Sequence, residues 1–161
     1  LLLLDFCSFQ FFKTAKALTD VGVKVNLGAH GQLQGLAAHW ELWMLVQGGM
    51  TNMEALKSAT LNGADYIGAS NDIGSLKVGK LADIIVLEKN PLEDIRHSES
   101  IIYTIINGRI YDTNTMNEIG NRPKSRTDFY WENSKYNAAF PWHEESQSFT
   151  RETCGCNIGS H

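Results

Sequence analysis

Basic clusters and long apolar runs are missing from this sequence, and each absence makes a class of function unexpected. The 14 Lys and Arg residues are scattered and are outnumbered by 18 Asp and Glu, giving a net charge of -4. No surface able to track a phosphate backbone is expected, so nucleic acid is not expected as a partner. No apolar stretch approaches the roughly 20 residues of a membrane-spanning helix, so a soluble chain with no membrane role is expected. Leu1 to Leu4 run directly into Asp5 with neither a basic stretch nor a small-residue cleavage site, so no targeting signal is read there. Cysteine is scarce and odd in number, with 3 residues, and Cys154 and Cys156 are too close in sequence to pair well with each other. The compartment stays open on this count.

What is present is ordinary globular material: 161 residues, 43% hydrophobic and 20% charged, enough for one domain or part of one. The pattern over Phe9 to Asp20 predicts a helix stopping near Gly22, and Val23 to Gly28 alternates as a short strand. Leu36 to Gln47 is apolar on almost every face and predicts a helix buried all round, with Trp40 and Trp43 as core anchors. Thr51-Asn-Met-Glu54 is a capping box that starts another helix, with Leu56, Ala59, Thr60 and Gly63 on its inner face and a stop at Asn62-Gly63. Ile84 to Leu87 has the composition of a buried strand, ended by Asn90-Pro91, with Asp83 expected to satisfy a turn amide. Asn107-Gly108 between Ile101–Ile106 and Arg109–Tyr111 is a type I′ hairpin signal. Beyond about Asn121 the pattern dissolves, and isolated aromatics such as Trp131, Tyr136 and Trp142 read as an irregular tail.

Chemistry-bearing residues gather between the strand at Val23 and the helix at Leu36. In an α/β enzyme the carboxyl end of a strand is where side chains become free to face a ligand. His30, Gln32, His39 and Glu41 therefore form a candidate site edge. His30 suits a site residue, against the plainer role of a turn histidine bonded to the glycine-rich loop. His39 could instead serve a neighbouring carboxylate or carbonyl, and helical spacing puts it about 200° from Glu41, on another face. Gln32 and Gln34 are equally readable as solvated loop residues. The tail carries Cys154, Cys156, His143 and His161, but without a standard zinc spacing.

One strand with two strongly apolar helices cannot bury itself, because such a strand needs paired neighbours on both sides. The expectation is an incomplete α/β unit, completed by an upstream half or by an oligomer partner.

The runs Val25-Asn-Leu-Gly-Ala-His30-Gly, His39-Trp-Glu-Leu-Trp, Gly49-Met-Thr-Asn-Met-Glu-Ala-Leu56, Ala59-Thr-Leu-Asn-Gly-Ala64 and Ile73 to Leu87 together resemble the carboxyl-terminal part of the amidohydrolase superfamily. The likeness is to its imidazolonepropionase-like and prolidase-like branch, including members joined to a TolB-like propeller, and covers roughly Phe12 to Asp112. The resemblance implies a metal-dependent (β/α)8 barrel hydrolase. Residues 1–68 would be the last barrel segment, 69–120 the carboxyl-terminal strands of a composite β-sandwich, and 121–161 the tail. It implies metal-activated water attacking the C–N bond of a small amide or dipeptide substrate, with a divalent metal, zinc by preference. The family's His-x-His pair, bridging carboxylated lysine or acid, and further histidines have no counterpart here. The aspartate that ends the last barrel strand falls at His30, which would then be the metal and catalytic residue, with Gln32, His39 and Glu41 toward substrate. On this reading the 161 residues alone are catalytically dead. A non-catalytic, protein-binding assembly module or a pseudoenzyme fragment is the alternative.

Overall fold

The computed structural model describes residues 2–29, 35–129 and 132, with side chains from residue 10 onward. His30, Gln32 and Gln34 lie outside the described residues, as do Trp131, Tyr136, Trp142 and the cysteine and histidine residues of the tail. Residues 1–125 form one compact unit and 126–161 another. In the second, Arg126 and Glu132 make a two-pronged ion pair at 2.7 Å on each arm, and the Arg126 guanidinium lies 4.7 Å from the Phe129 ring centre.

The first unit opens with helix α1, Leu2–Asp20, which begins earlier than the periodicity from Phe9 predicts. It ends where Gly22 takes a φ of 89°, and the amides of Gly22 and Val23 close on the carbonyls of Thr19 and Leu18. Helix α2 spans Leu36–Gln47, α3 spans Asn52–Ser58 and α4 spans Leu61–Tyr66. A core of Phe12 and Ala15 from α1, Leu42 and Leu45 from α2, Met50 and Ala55 joins these helices, and Ile95 enters it from further along the chain.

Four antiparallel strands follow in the order of the chain: β1 Ile84–Leu87, β2 Ile101–Ile106, β3 Arg109–Asp112 and β4 Glu118–Ile119. A short 3₁₀ helix, Ile95–Glu99, lies between β1 and β2. Asn107 and Gly108 adopt φ values of 48° and 76°, the paired positive angles of a type I′ turn, so the β2–β3 hairpin forms where the Asn-Gly pair predicts it. Asp83 accepts from the Asn107 amide at 2.7 Å, the turn role expected for it. At the far end, Glu118 is buried and grips Arg109 through both carboxylate oxygens. That pairing answers the cost of burying a carboxylate.

Several expectations are corrected. The capping box at Thr51 is present, with Glu54 and Thr51 exchanging both bonds, but the helix breaks at Ala59–Thr60 and resumes as α4. Asn62-Gly63 thus sits inside a helix, and the chain turns instead at Gly68, φ 73°. The buried face is Ala55, Ser58 and Ala64, whereas Ala59 and Thr60 are exposed. Helix α2 buries Leu42 and Leu45 but leaves Leu36 and Trp40 exposed, because α1, α3 and the 3₁₀ helix contact only part of its circumference. Strand β1 is an edge strand with Ile85 58% exposed, so its apolar composition does not mark burial within this chain. The 3₁₀ helix and β4 were not signalled by any periodicity. Val23 to Gly28, expected as a strand, pairs with no strand among the described residues. Its contacts come from helices instead.

Candidate functional site

Residues 23–28 run along α3 and α4 and finish beside α2. The Leu27 amide donates to the Ser58 carbonyl at 3.0 Å, and the Asn62 side-chain amide donates to the Val25 carbonyl at 2.9 Å. Lys24 pairs with Asp65 at 2.7 Å, which holds the Asp65 carboxyl below its ordinary pKa. Asn62, expected with Gly63 to end a helix, instead anchors this segment.

At the end of the segment, Glu41 reaches across from α2 and accepts the Gly28 amide proton, with its two carboxylate oxygens 3.0 and 3.1 Å from the nitrogen. A charged acceptor makes this stronger than an ordinary amide–carbonyl bond. The Asn26 Oδ1 atom, two residues earlier, is buried without a hydrogen-bond partner among the described residues. The amides of Lys24, Val25 and Asn26 likewise meet no acceptor among them. A buried unmet group such as the Asn26 oxygen is rare because it costs about 1–3 kcal/mol.

On another side of α2, Ser98 of the 3₁₀ helix is buried between two side chains one helical turn apart. The Trp43 indole donates to Ser98 Oγ at 3.2 Å, and His39 Nδ1 lies 3.0 Å from the same oxygen. A hydroxyl that accepts from Trp43 has its own proton to give. Donating it to His39 Nδ1 satisfies all three groups and leaves the imidazole proton on Nε2. Arg96 completes the junction, its guanidinium 4.9 Å from the Trp43 ring centre.

The structure thus places the two described candidates apart. Glu41 serves segment 23–28 and His39 serves the 3₁₀ helix, as their spacing on α2 requires. Asn26 and Ser98 were missed by sequence reasoning. Asn26 shares the polar positions of the Val23–Leu27 alternation with Lys24 and so read as an ordinary polar-face residue, and Ser98 gave no local signal. A hollow of about 350 Å³ is lined by Ser70, Asn71, Ser75 and Lys80, among others, and by none of these groups. Of its two lysines, Lys77 and Lys80, Lys80 is already engaged, donating to the Ser70 and Ile73 carbonyls and to Ser75 Oγ.

A divalent metal needs several His, Cys or carboxylate ligands converging within a few ångströms. Among the described residues no three such side chains converge. Glu41 has both oxygens on Gly28, and His39 has Nδ1 on Ser98. The described residues therefore do not form a metal cradle.

The pattern of the Amidohydrolase family matches residues 10–111, well over half of the chain. The chain belongs to the amidohydrolase family. An ochratoxinase from Aspergillus niger is 38% identical over 85 residues, covering 52% of this chain and 18% of that protein. An imidazolonepropionase from Symbiobacterium thermophilum is 32% identical over 80 residues, covering 47% and 19% respectively. Among solved structures, a Xaa-Pro dipeptidase with methionine bound in its active site superposes with a TM-score of 0.58 at 32% identity, covering 65% of this chain and 25% of that one. This amidohydrolase chain accordingly spans about a fifth to a quarter of the length of the relatives it matches, and its mixed helix-and-sheet arrangement fits a region of their α/β fold. No helix among its described residues is long and apolar enough to cross a membrane.

Proposed function

We propose that the chain is the carboxyl-terminal portion of a metal-dependent amidohydrolase that cleaves the C–N bond of a small amide or dipeptide. The observation that carries this reading is the family match over residues 10–111 together with the state of segment 23–28. Among the described residues that segment pairs with no strand, the amides of residues 24–26 meet no acceptor, and the buried Asn26 oxygen has no hydrogen-bond partner. These are the features of a barrel strand whose neighbours lie elsewhere in the protein. On this reading residues 1–68 close a (β/α)8 barrel, 69–120 contribute strands to a composite β-sandwich, and 121–161 form a carboxyl-terminal tail. The divalent metal, zinc in this proposal, is held by ligands contributed largely from outside this chain, with His30 as the candidate ligand from within it. Gln32 is the candidate substrate contact from this chain in this proposal, whereas Nδ1 of His39 is engaged with Ser98. The partner required is the remaining barrel, in the same polypeptide or in another subunit.

The test is to capture the natural gene product with an antibody raised against residues 36–47, measure its intact mass, and assay it on Xaa-Pro dipeptides and N-acyl amides. A mass far above 18.0 kDa, with hydrolysis lost to a chelator and restored by zinc, supports the proposal. A product of 18.0 kDa without such hydrolysis overturns it and leaves a non-catalytic assembly module.

A further inference from the structure

Glu41 is half-buried, sits mid-way along α2, and meets no lysine or arginine among the described residues. What it does meet is one backbone N–H, that of Gly28, approached by both carboxylate oxygens at 3.0 and 3.1 Å. A carboxylate aimed in this way at a single amide, across 13 residues of sequence, is a clamp between two elements. Gly28 is the end of the segment whose earlier residues are tied down by Ser58, Asn62 and Asp65, so the Glu41 bond fastens the carboxyl end of that segment to α2. The contact is to backbone, which points to a role in holding the chain.

We infer that Glu41 is a positioning residue: its carboxylate fastens the Gly28 amide to α2 and so sets where the chain departs from segment 23–28. In its kinetic consequence the inference rests on the hydrolase reading above; in its structural consequence it does not. The requirement is for an acceptor at this point and not for a charge, so the neutral amide of Glu41→Gln, which keeps one acceptor oxygen, preserves the fastening. Glu41→Ala removes it.

The experiment compares the natural protein with its Glu41→Gln and Glu41→Ala variants by hydrogen exchange read at residue 28, and by steady-state kinetics on an amide substrate. Exchange at Gly28 is expected to rise about tenfold in the alanine variant and to stay within about threefold of the parent in the glutamine variant, as befits loss or retention of one hydrogen bond. The kinetic expectation is a fall in kcat with little change in KM for alanine, and substantial rescue by glutamine. Exchange at Gly28 that ignores both substitutions overturns the inference. So does a glutamine variant as impaired as alanine with a raised KM, which would make Glu41 a charged substrate contact. A parent protein without amide hydrolysis sinks the hydrolase reading alone, because the exchange comparison still decides whether Glu41 holds Gly28.

Discussion

Replacing Gly48 by alanine tests how closely α1 approaches the carboxyl end of α2. A Cβ built on Gly48 would lie 2.5 Å from the Phe12 carbonyl carbon and 2.6 Å from both the Phe12 Cβ and its carbonyl oxygen. Ordinary carbon–carbon contact is about 3.5–4.0 Å, so roughly an ångström of separation must be found. The obstacle is backbone in the middle of a helix, which cannot rotate aside, and Phe12 is itself a buried member of the core. Either α1 shifts and loosens its contacts through Phe12 and Ala15, or the end of α2 unwinds and loses the Gly48 amide bond to the Met44 carbonyl. Overpacking of this kind costs about 1–3 kcal/mol, with the rigid obstacle pointing to the upper end. Gly48 already has an ordinary helical φ of -72°, so alanine recovers about 0.4–1 kcal/mol by restricting the unfolded chain. The net expectation is a loss of about 2 kcal/mol. The matched control is Gly63→Ala inside α4, where the new Cβ meets nothing within 4 Å. That change should stabilise by about 0.5–1 kcal/mol through helix propensity. Urea titrations of the 161-residue chain and both variants read the two effects as midpoint shifts of opposite sign at constant slope. A Gly48→Ala midpoint equal to that of the parent would refute the close approach of the two helices.

Ser98→Ala removes the hydroxyl shared by Trp43 and His39 and should cost about 1–3 kcal/mol, read as a lowered melting temperature accompanied by altered Trp fluorescence; an unchanged indole environment would contradict the junction. Thr51→Ala deletes the cap of α3 and should destabilise by about 1 kcal/mol in denaturant, while an effect near zero would mean that the helix start is held by packing alone. The Arg109 guanidinium holds the Glu118 carboxyl below its ordinary 4.5, so the unfolded chain binds that proton more readily than the folded one. The stabilisation from this pair is therefore complete above about pH 4.5 and is lost as pH falls through the lowered native value. Stability measured between pH 7 and 3 should fall less steeply in Glu118→Gln than in the parent; parallel curves would remove the pair from the acid response.

Local chemistry made much of the helix and hairpin pattern legible. The Thr51–Glu54 capping box depends on groups three residues apart, and the Asn107-Gly108 turn depends on two residues able to hold positive φ. Both were readable because every group involved is near in sequence. Asp83 was readable for the same reason, since its role follows from its place at the mouth of that hairpin. The separation of His39 from Glu41 followed from helical geometry before any partner was known.

Tertiary contacts decided the rest. Whether an apolar stretch is buried depends on what lies across from it, so α2 and β1 read as fully covered and are not within this chain. Whether an alternating stretch becomes a strand depends on neighbours, and residues 23–28 found helices and the Glu41 carboxylate instead. The pairing of Ser98 with His39 and Trp43 joins groups 59 and 55 residues apart, a distance that no periodicity spans. The sequence by itself determined the elements with local causes and the family to which the chain belongs. Only the folded structure decided which polar side chains meet, because long-range hydrogen bonds are chosen by packing and leave no trace in spacing.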